Sequence, residues 1–159
     1  MEKIFIASDH AGFELKKDLK QISENQGFEV KDFGAFNLDT DDDYPDFIKP
    51  LAKEMSEIIL TGVGVKGIII GGSGQGEAIC ANRFKGIRAV VFNGQYAPRD
   101  GREVPDEIVI SREHNDANIL SLGARFLDLE EASEAVLKWI RTEFTNEERH
   151  IRRIRKIDS

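Results

Sequence analysis

Ile68-Ile69-Ile70-Gly71-Gly72-Ser73-Gly74-Gln75-Gly76-Glu77 decides the fold. Three consecutive β-branched residues read as a strand buried on both faces, the mark of a parallel sheet. The glycines that follow allow a tight turn with a bare backbone. A short helical pattern comes next, Ala78-Ile79-Cys80-Ala81-Asn82. A strand-to-helix turn of this kind lies beyond the carboxyl end of its strand, where open α/β sheets bind ligands. Backbone N–H groups there converge on a phosphate, or on an oxygen that gains charge during reaction. Glu77 stands on the rim as a candidate base. The plainer reading is a turn whose glycines only avoid steric clash.

Outward from this centre, strand and helix patterns alternate. Lys3 to Ala7 is a short apolar strand, with Ser8-Asp9-His10-Ala11-Gly12 as its turn. Leu15, Leu19 and Ile22 give Phe13 to Gln26 a helical face that stops at Gly27. Phe28 to Phe33 alternates like a strand, and Pro45 suits the start of a helix running to about Leu60. Ile87 to Phe92 and Ile119 to Leu122 are further strands. Leu129 to Phe144 predicts a helix, and Asn146 to Ile157 a basic C-terminal one. Five strands in this rhythm predict a three-layer α/β/α, Rossmann-like domain over residues 1–159, with a five-stranded parallel sheet. Right-handed crossovers then bring Asp9-His10, the 71–77 turn and the turn after Phe92 to one crevice. Asn93 to Glu107, with two glycines and two prolines, breaks the rhythm as a long loop near that crevice.

The chain has 159 residues, net charge −7 and one cysteine, Cys80. One domain with a sizeable core is the default at this length. The acidic balance argues against nucleic-acid and membrane-surface partners. A lone cysteine forms no intrachain disulfide, which fits the cytoplasm, as does a strand starting almost at Met1 with no leader before it.

Several polar groups compete for chemical roles. Asp9 and His10 follow the first strand, where His10 would bind an anion; the alternative is a capping Asp9 and an exposed His10. Asp41-Asp42-Asp43 lacks the glycine and distal glutamate of a calcium loop and reads as a solvated acidic loop. Tyr44 beside it could stack on a sugar face. Arg112-Glu113-His114-Asn115 precedes a strand, and a histidine there could carry a proton near neutral pH. Arg149 and Arg153, four apart, share a helix face and could fork a phosphate, or lie solvated beside Glu147 and Glu148. No metal-ligand spacing stands out among the histidines and Cys80. No Gly-Lys-Ser/Thr closes the glycine turn, the dinucleotide fingerprint fails, and the hydrolase elbow is not matched.

The chain resembles the ribose-5-phosphate isomerase B / galactose-6-phosphate isomerase family along almost its whole length. The matching motifs are Ser8–Gly12, Asp43-Tyr44-Pro45, Gly71–Glu77 with Ala81-Asn82-Arg83, Gly86–Ala89, Arg112–Asn115, Gly123-Ala124-Arg125, and Arg149-His150 through Arg153. The resemblance implies an aldose–ketose isomerase that needs no metal or cofactor. It also implies a homodimer, or a dimer of dimers, with active sites shared between subunits. One branch uses a cysteine as base at the end of the third strand; Gly71 holds that place here, and the chain looks like the branch with Glu77 as base. By the same resemblance, His114 opens the cyclic sugar. Ser73 and the backbone of Gly72, Gly74, Gln75 and Gly76 stabilise an enediolate. Asp9 and Tyr44 hold sugar hydroxyls, and His10, Arg149 and Arg153 the phosphate. Asn115 and Arg125 join His114 from the partner subunit. The stretch from Ala97 to Glu107 looks inserted, adding dimer contacts or covering the site. Ribose 5-phosphate is the first expected substrate, with a six-carbon sugar phosphate as the alternative. A sugar-phosphate sensor without turnover and a flavodoxin-like nucleotide domain are the other readings.

Overall fold

The central strand expected at 67–70 is β3, Lys66–Gly71, buried at every residue. In the computed structural model, which describes residues 3–95, 98–103 and 106–159, four more strands join it. They are β1 (Lys3–Ser8), β2 (Glu29–Asp32), β4 (Ala89–Phe92) and β5 (Ile119–Gly123). The sheet runs β2-β1-β3-β5-β4, and every neighbouring pair is parallel.

Among the described residues five α-helices pack on the sheet, α1 (Phe13–Asn25), α2 (Pro45–Leu60), α3 (Gln75–Ala81), α4 (Glu107–Glu113) and α5 (Leu129–Arg141), and a sixth, α6 (Glu148–Ile157), stands at its end. The period-two alternation of the strands divides the core in two. Ile4, Ile6, Ile68, Ile70, Leu120 and Leu122 pack with Leu19 of α1, Ile108 of α4 and Val136, Trp139 and Ile140 of α5. Phe5, Ala7, Ile69 and Ile119 pack on the other face with Ile48, Leu51 and Met55 of α2 and Ala81 of α3. The result is the expected three-layer α/β/α arrangement.

Local chemistry sets the helix ends. Pro45 opens α2, where its missing N–H costs nothing. Asp128 and Glu131 form a reciprocal capping box at α5, which satisfies two otherwise orphan donors. At the free edge of the sheet, Asn82 bonds Ala89 in both directions: its Nδ2 donates to the Ala89 carbonyl at 3.0 Å and its Oδ1 accepts the Ala89 N–H at 2.8 Å.

Several boundaries differ from expectation. β2 and β4 are shorter than 28–33 and 87–92. α5 ends at Arg141 because Thr142 turns extended, with ψ of 124°. α6 starts at Glu148 after Asn146 adopts φ of 56°. The larger correction is α4. The long irregular excursion ends in a helix capped by Asp106, whose side chain accepts the Val109 N–H at 2.9 Å. Of the expected insertion at 93–107, Tyr96, Ala97, Val104 and Pro105 lie outside the described residues. Gln95 Oε1 accepts the Glu107 N–H at 2.9 Å and closes the base of that segment.

Candidate active site

β1 and β3 lie side by side at the centre of the sheet. The chain leaves β1 for β2 on one side, and leaves β3 for β4 beyond β5 on the other. Such a reversal opens a crevice at the carboxyl ends of the two strands. The glycine turn forms one wall. Gly74, the residue before α3, takes the left-handed φ of 72°, which a glycine adopts without steric cost. Two side chains hold the turn: Ser121 Oγ donates to the Gly74 carbonyl at 2.6 Å, and Asn93 Nδ2 to the Ser73 carbonyl at 2.9 Å. Ser73 Oγ accepts the Gln75 N–H at 3.3 Å.

Glu77, in the first turn of α3, folds back over the end of β3. A Cβ built on Gly71 would lie 1.8 Å from its Oε1, so the carboxyl occupies the space that a side chain at 71 needs. Glu77 is only 4% exposed. Burial pushes its carboxyl above the usual glutamate range; its own backbone N–H offsets part of this, and the Asp9 charge adds to it. Cys80, further along α3, packs against the α2 side of the core. Burial pushes its thiol up, away from thiolate chemistry.

Across the crevice, Asp9 follows β1. Its Oδ1 accepts the N–H groups of Ala11 and Gly12 at 3.0 and 3.3 Å, so it caps the turn while its charge is felt by Glu77. His10 is fixed by a residue that the sequence left in a solvated loop. Asp42 Oδ1 meets His10 Nδ1 at 2.6 Å and accepts the His10 N–H at 3.1 Å. Asp41 and Asp43 are exposed as expected, but the Asp42 side chain is 8% exposed. Three adjacent aspartates look alike in sequence; only the return of this loop to the β1 turn separates them. Tyr44 enters from the start of α2, and its hydroxyl would stand 2.8 Å from a Cβ on Gly76.

Arg125, which the resemblance brings in from a partner, stands in its own chain's crevice: its guanidinium carbon lies 3.0 Å from the Cβ position of Gly72. Its charge acts on His10. The turn after β5 therefore delivers a cation to the same crevice.

The other candidates sit at the opposite end of the sheet. α4 runs back from the carboxyl edge, so His114 and Asn115 lie where strands begin. Their neighbour Asp116 bonds Arg88, just before β4, at 2.7 Å. α6 lies there too. The His150 ring stacks on His114 with centroids 4.4 Å apart and planes 12° from parallel. His150 is 3% exposed. Burial, then His114 and Arg149, hold its imidazole below the ordinary histidine range. Arg149 bonds Glu147 at 2.8 Å, and Arg153 is exposed. Within one chain, His114, Asn115, Arg149 and Arg153 do not join Glu77.

A cavity of about 500 Å³ also lies at the strand-start end, lined by Lys66, Arg88, Arg112, Asp116 and Glu143 among others. Its charges are paired internally: Arg88 and Arg112 with Asp116, and Lys66 with Glu143. Asp9, His10, Glu77 and Arg125 gather instead in the crevice at the other end. Among the described residues, Asp9, His10 and Asp42 bring one ligand atom each within 4.8 Å. The His10–Asp42 bond already occupies Nδ1, so the group reads as a hydrogen-bonded dyad rather than a metal centre.

Known proteins resemble this chain in sequence and in fold. The family model described as Ribose/Galactose Isomerase matches residues 4–157. Ribose-5-phosphate isomerase B of Mycobacterium tuberculosis is 35% identical over 153 residues, spanning 96% of this chain and 85% of that protein. The crystal structure of ribose-5-phosphate isomerase B from Mycoplasma genitalium with bound ribulose 5-phosphate superposes with a TM-score of 0.85 at 33% identity, covering 98% of this chain and 93% of that one. The Clostridium thermocellum ribose-5-phosphate isomerase B gives 0.82 at 40% identity, covering 98% and 95%. Among the described residues no helix is long and apolar enough to cross a membrane.

Proposed function

The chain belongs to the ribose/galactose isomerase family, and from that premise we propose that it interconverts ribose 5-phosphate and ribulose 5-phosphate through an enediolate, without a metal or cofactor. The observation that carries this reading is the buried Glu77 carboxyl at the end of β3, against a turn of bare backbone. A carboxyl raised toward neutrality is a better match for abstracting a carbon-bound proton than an ordinary surface glutamate. Glu77 takes the proton from C2 and returns it at C1, while the C2 hydroxyl gives up its proton and O1 gains one, so that C2 becomes the carbonyl. The electron pair moves onto the carbonyl oxygen, and the N–H groups of Gly72, Gly74, Gln75 and Gly76, with the Ser73 hydroxyl, receive the charge. Removing one such donor costs roughly 3–4 kcal/mol in other enzymes. Asp9 and Tyr44 take sugar hydroxyls, and His10 and Arg125 face the phosphate.

Ring opening is assigned to His114. In one chain, His114 and Glu77 lie at opposite ends of the sheet, so the site is completed by a second copy. That copy supplies His114 and Asn115, with Arg149 and Arg153 on the phosphate. A homodimer, or a dimer of dimers, is therefore part of the function.

The test is turnover of ribose 5-phosphate by chelator-treated protein, followed as ribulose 5-phosphate. Turnover that survives chelation and is abolished in Glu77→Gln supports the reading. Turnover retained in that variant removes Glu77 as base. No turnover in the wild type moves the search to six-carbon sugar phosphates.

A further inference from the structure

We propose that Asp42 is a positioning residue for His10: it holds the imidazole through Nδ1 and leaves Nε2–H as the ring's one free donor for the substrate's phosphate. The inference rests on the sugar-phosphate reading above and adds to it a residue from a distant loop.

Four observations converge. Asp42 Oδ1 binds both Nδ1 and the backbone N–H of His10, at 2.6 and 3.1 Å, so one carboxylate oxygen fixes ring and main chain together. The Asp42 side chain is 8% exposed, which keeps water from competing for the bond. Its second oxygen, Oδ2, is buried and has no hydrogen-bond partner among the described residues, and His10 is the titratable partner that this carboxylate holds. The ring itself keeps 29% of its side-chain surface open. An imidazole clamped on one nitrogen and open on the other is oriented like the histidines of hydrogen-bonded carboxylate–histidine pairs.

Charge follows from this geometry. The Asp42 hydrogen bond is the largest influence on His10 and raises it above the ordinary 6.5, against a lowering by burial. Asp9 also raises it and Arg125 lowers it. As pH rises through the raised value, the imidazolium is lost, and with it a charge-assisted bond to phosphate. Without the Asp42 charge, that loss comes at lower pH.

Asp42→Asn tests this. The amide keeps an oxygen for the His10 N–H, so the turn retains its anchor, while the charge is removed. In the wild type, KM for ribose 5-phosphate should stay low to a pH above the ordinary histidine value. In the variant it should rise about fivefold earlier on the pH axis, as expected for exchanging a charged donor for a neutral one, with the loss carried by KM rather than kcat. The substrate's own phosphate ionisation is common to both proteins and cancels. His10 is followed in parallel by NMR titration, with and without inorganic phosphate. Its midpoint should fall in the variant, and phosphate should raise it less than in the wild type. A midpoint that does not move, or a KM loss equal at every pH, overturns the inference while leaving an active isomerase intact. A wild type with no turnover removes the isomerase reading instead, and the NMR arm still decides whether Asp42 sets His10 as a phosphate donor.

Discussion

Gly71 and Glu77 compete for one volume: a Cβ on Gly71 would stand 1.8 Å from Glu77 Oε1 and 2.1 Å from its carboxyl carbon. The family resemblance put a cysteine base at position 71 in one branch and a glutamate base at 77 in the other. The geometry explains why a chain carries one or the other. In this chain a side chain at 71 and the Glu77 carboxyl would claim the same space, and the strand position is the empty one.

Gly71→Ala should therefore lower kcat by about 10²-fold, the scale of a displacement of roughly 1 Å in a reacting group. The same substitution in a Glu77→Ala background should cost much less stability than in the wild type. A double-mutant cycle by denaturant unfolding reads the coupling directly. Additive losses would mean that the two positions do not share space.

Glu77→Gln should abolish turnover by a factor on the order of 10³, within the range of general-base contributions, yet stabilise the fold near neutral pH. The sign follows from linkage. The folded carboxyl holds its proton more tightly than the unfolded one. Stability therefore falls as pH rises from the unfolded glutamate value through the folded one, and stays lower above it. The amide has no charge to bury. Its gain in Tm should be present at pH 7.5 and shrink on acidification below the glutamate range. In the wild type, activity should fall as pH drops through the raised Glu77 value.

The two half-sites at opposite ends of the sheet give a mixing experiment. Glu77→Gln and His114→Ala are each expected to be inactive. Unfolded together and refolded at equal amounts, they should recover about a quarter of wild-type turnover. Half of randomly paired dimers are hybrids, and each hybrid has one of two sites intact. A mixture that stays inactive would place both residues in one subunit's site.

His150 carries the fourth prediction. Its folded imidazole titrates below the ordinary value because it is buried and lies on His114. That contribution to stability is full above the unfolded value near 6.5 and is lost as pH falls through the lower folded one. His150→Phe should keep the stack and remove this acid sensitivity from the Tm-versus-pH curve. His150→Ala should lose the stack and lower turnover on cyclic substrate more than on an open-chain analogue. Equal effects of the two variants would argue that the ring contact does not support His114.

Much of this was legible in the chain because local rules carried it. Ile68–Ile70 announced a buried parallel strand, and the glycines that followed located the crevice. Asp9, His10 and Glu77 fell together because strand-to-helix turns of a parallel sheet share an edge. What escaped notice depends on returns of the chain over long separations. Asp42 reaches His10 across 32 residues, and nothing in Asp41-Asp42-Asp43 marks the middle residue. The resemblance assigns Arg125 to a partner; its place in this chain follows from β5 lying beside β3, a neighbour relation that the order of strands along the chain does not predict. The short α4 lay hidden because seven helical residues after a glycine- and proline-bearing loop give too little periodicity to stand out.

Asn82 has a consequence for how copies of this chain can meet. Both of its amide bonds go to Ala89, the first residue of the outermost strand. In a parallel ladder, alternate residues turn their main-chain groups outward, so in the four residues of β4 the next outward pair is at Val91. One side chain thus stands in for the first rung of an absent sixth strand. A strand from another copy would have to displace Asn82 before it could extend the sheet from this end, and a free strand edge is the usual route to uncontrolled stacking of chains.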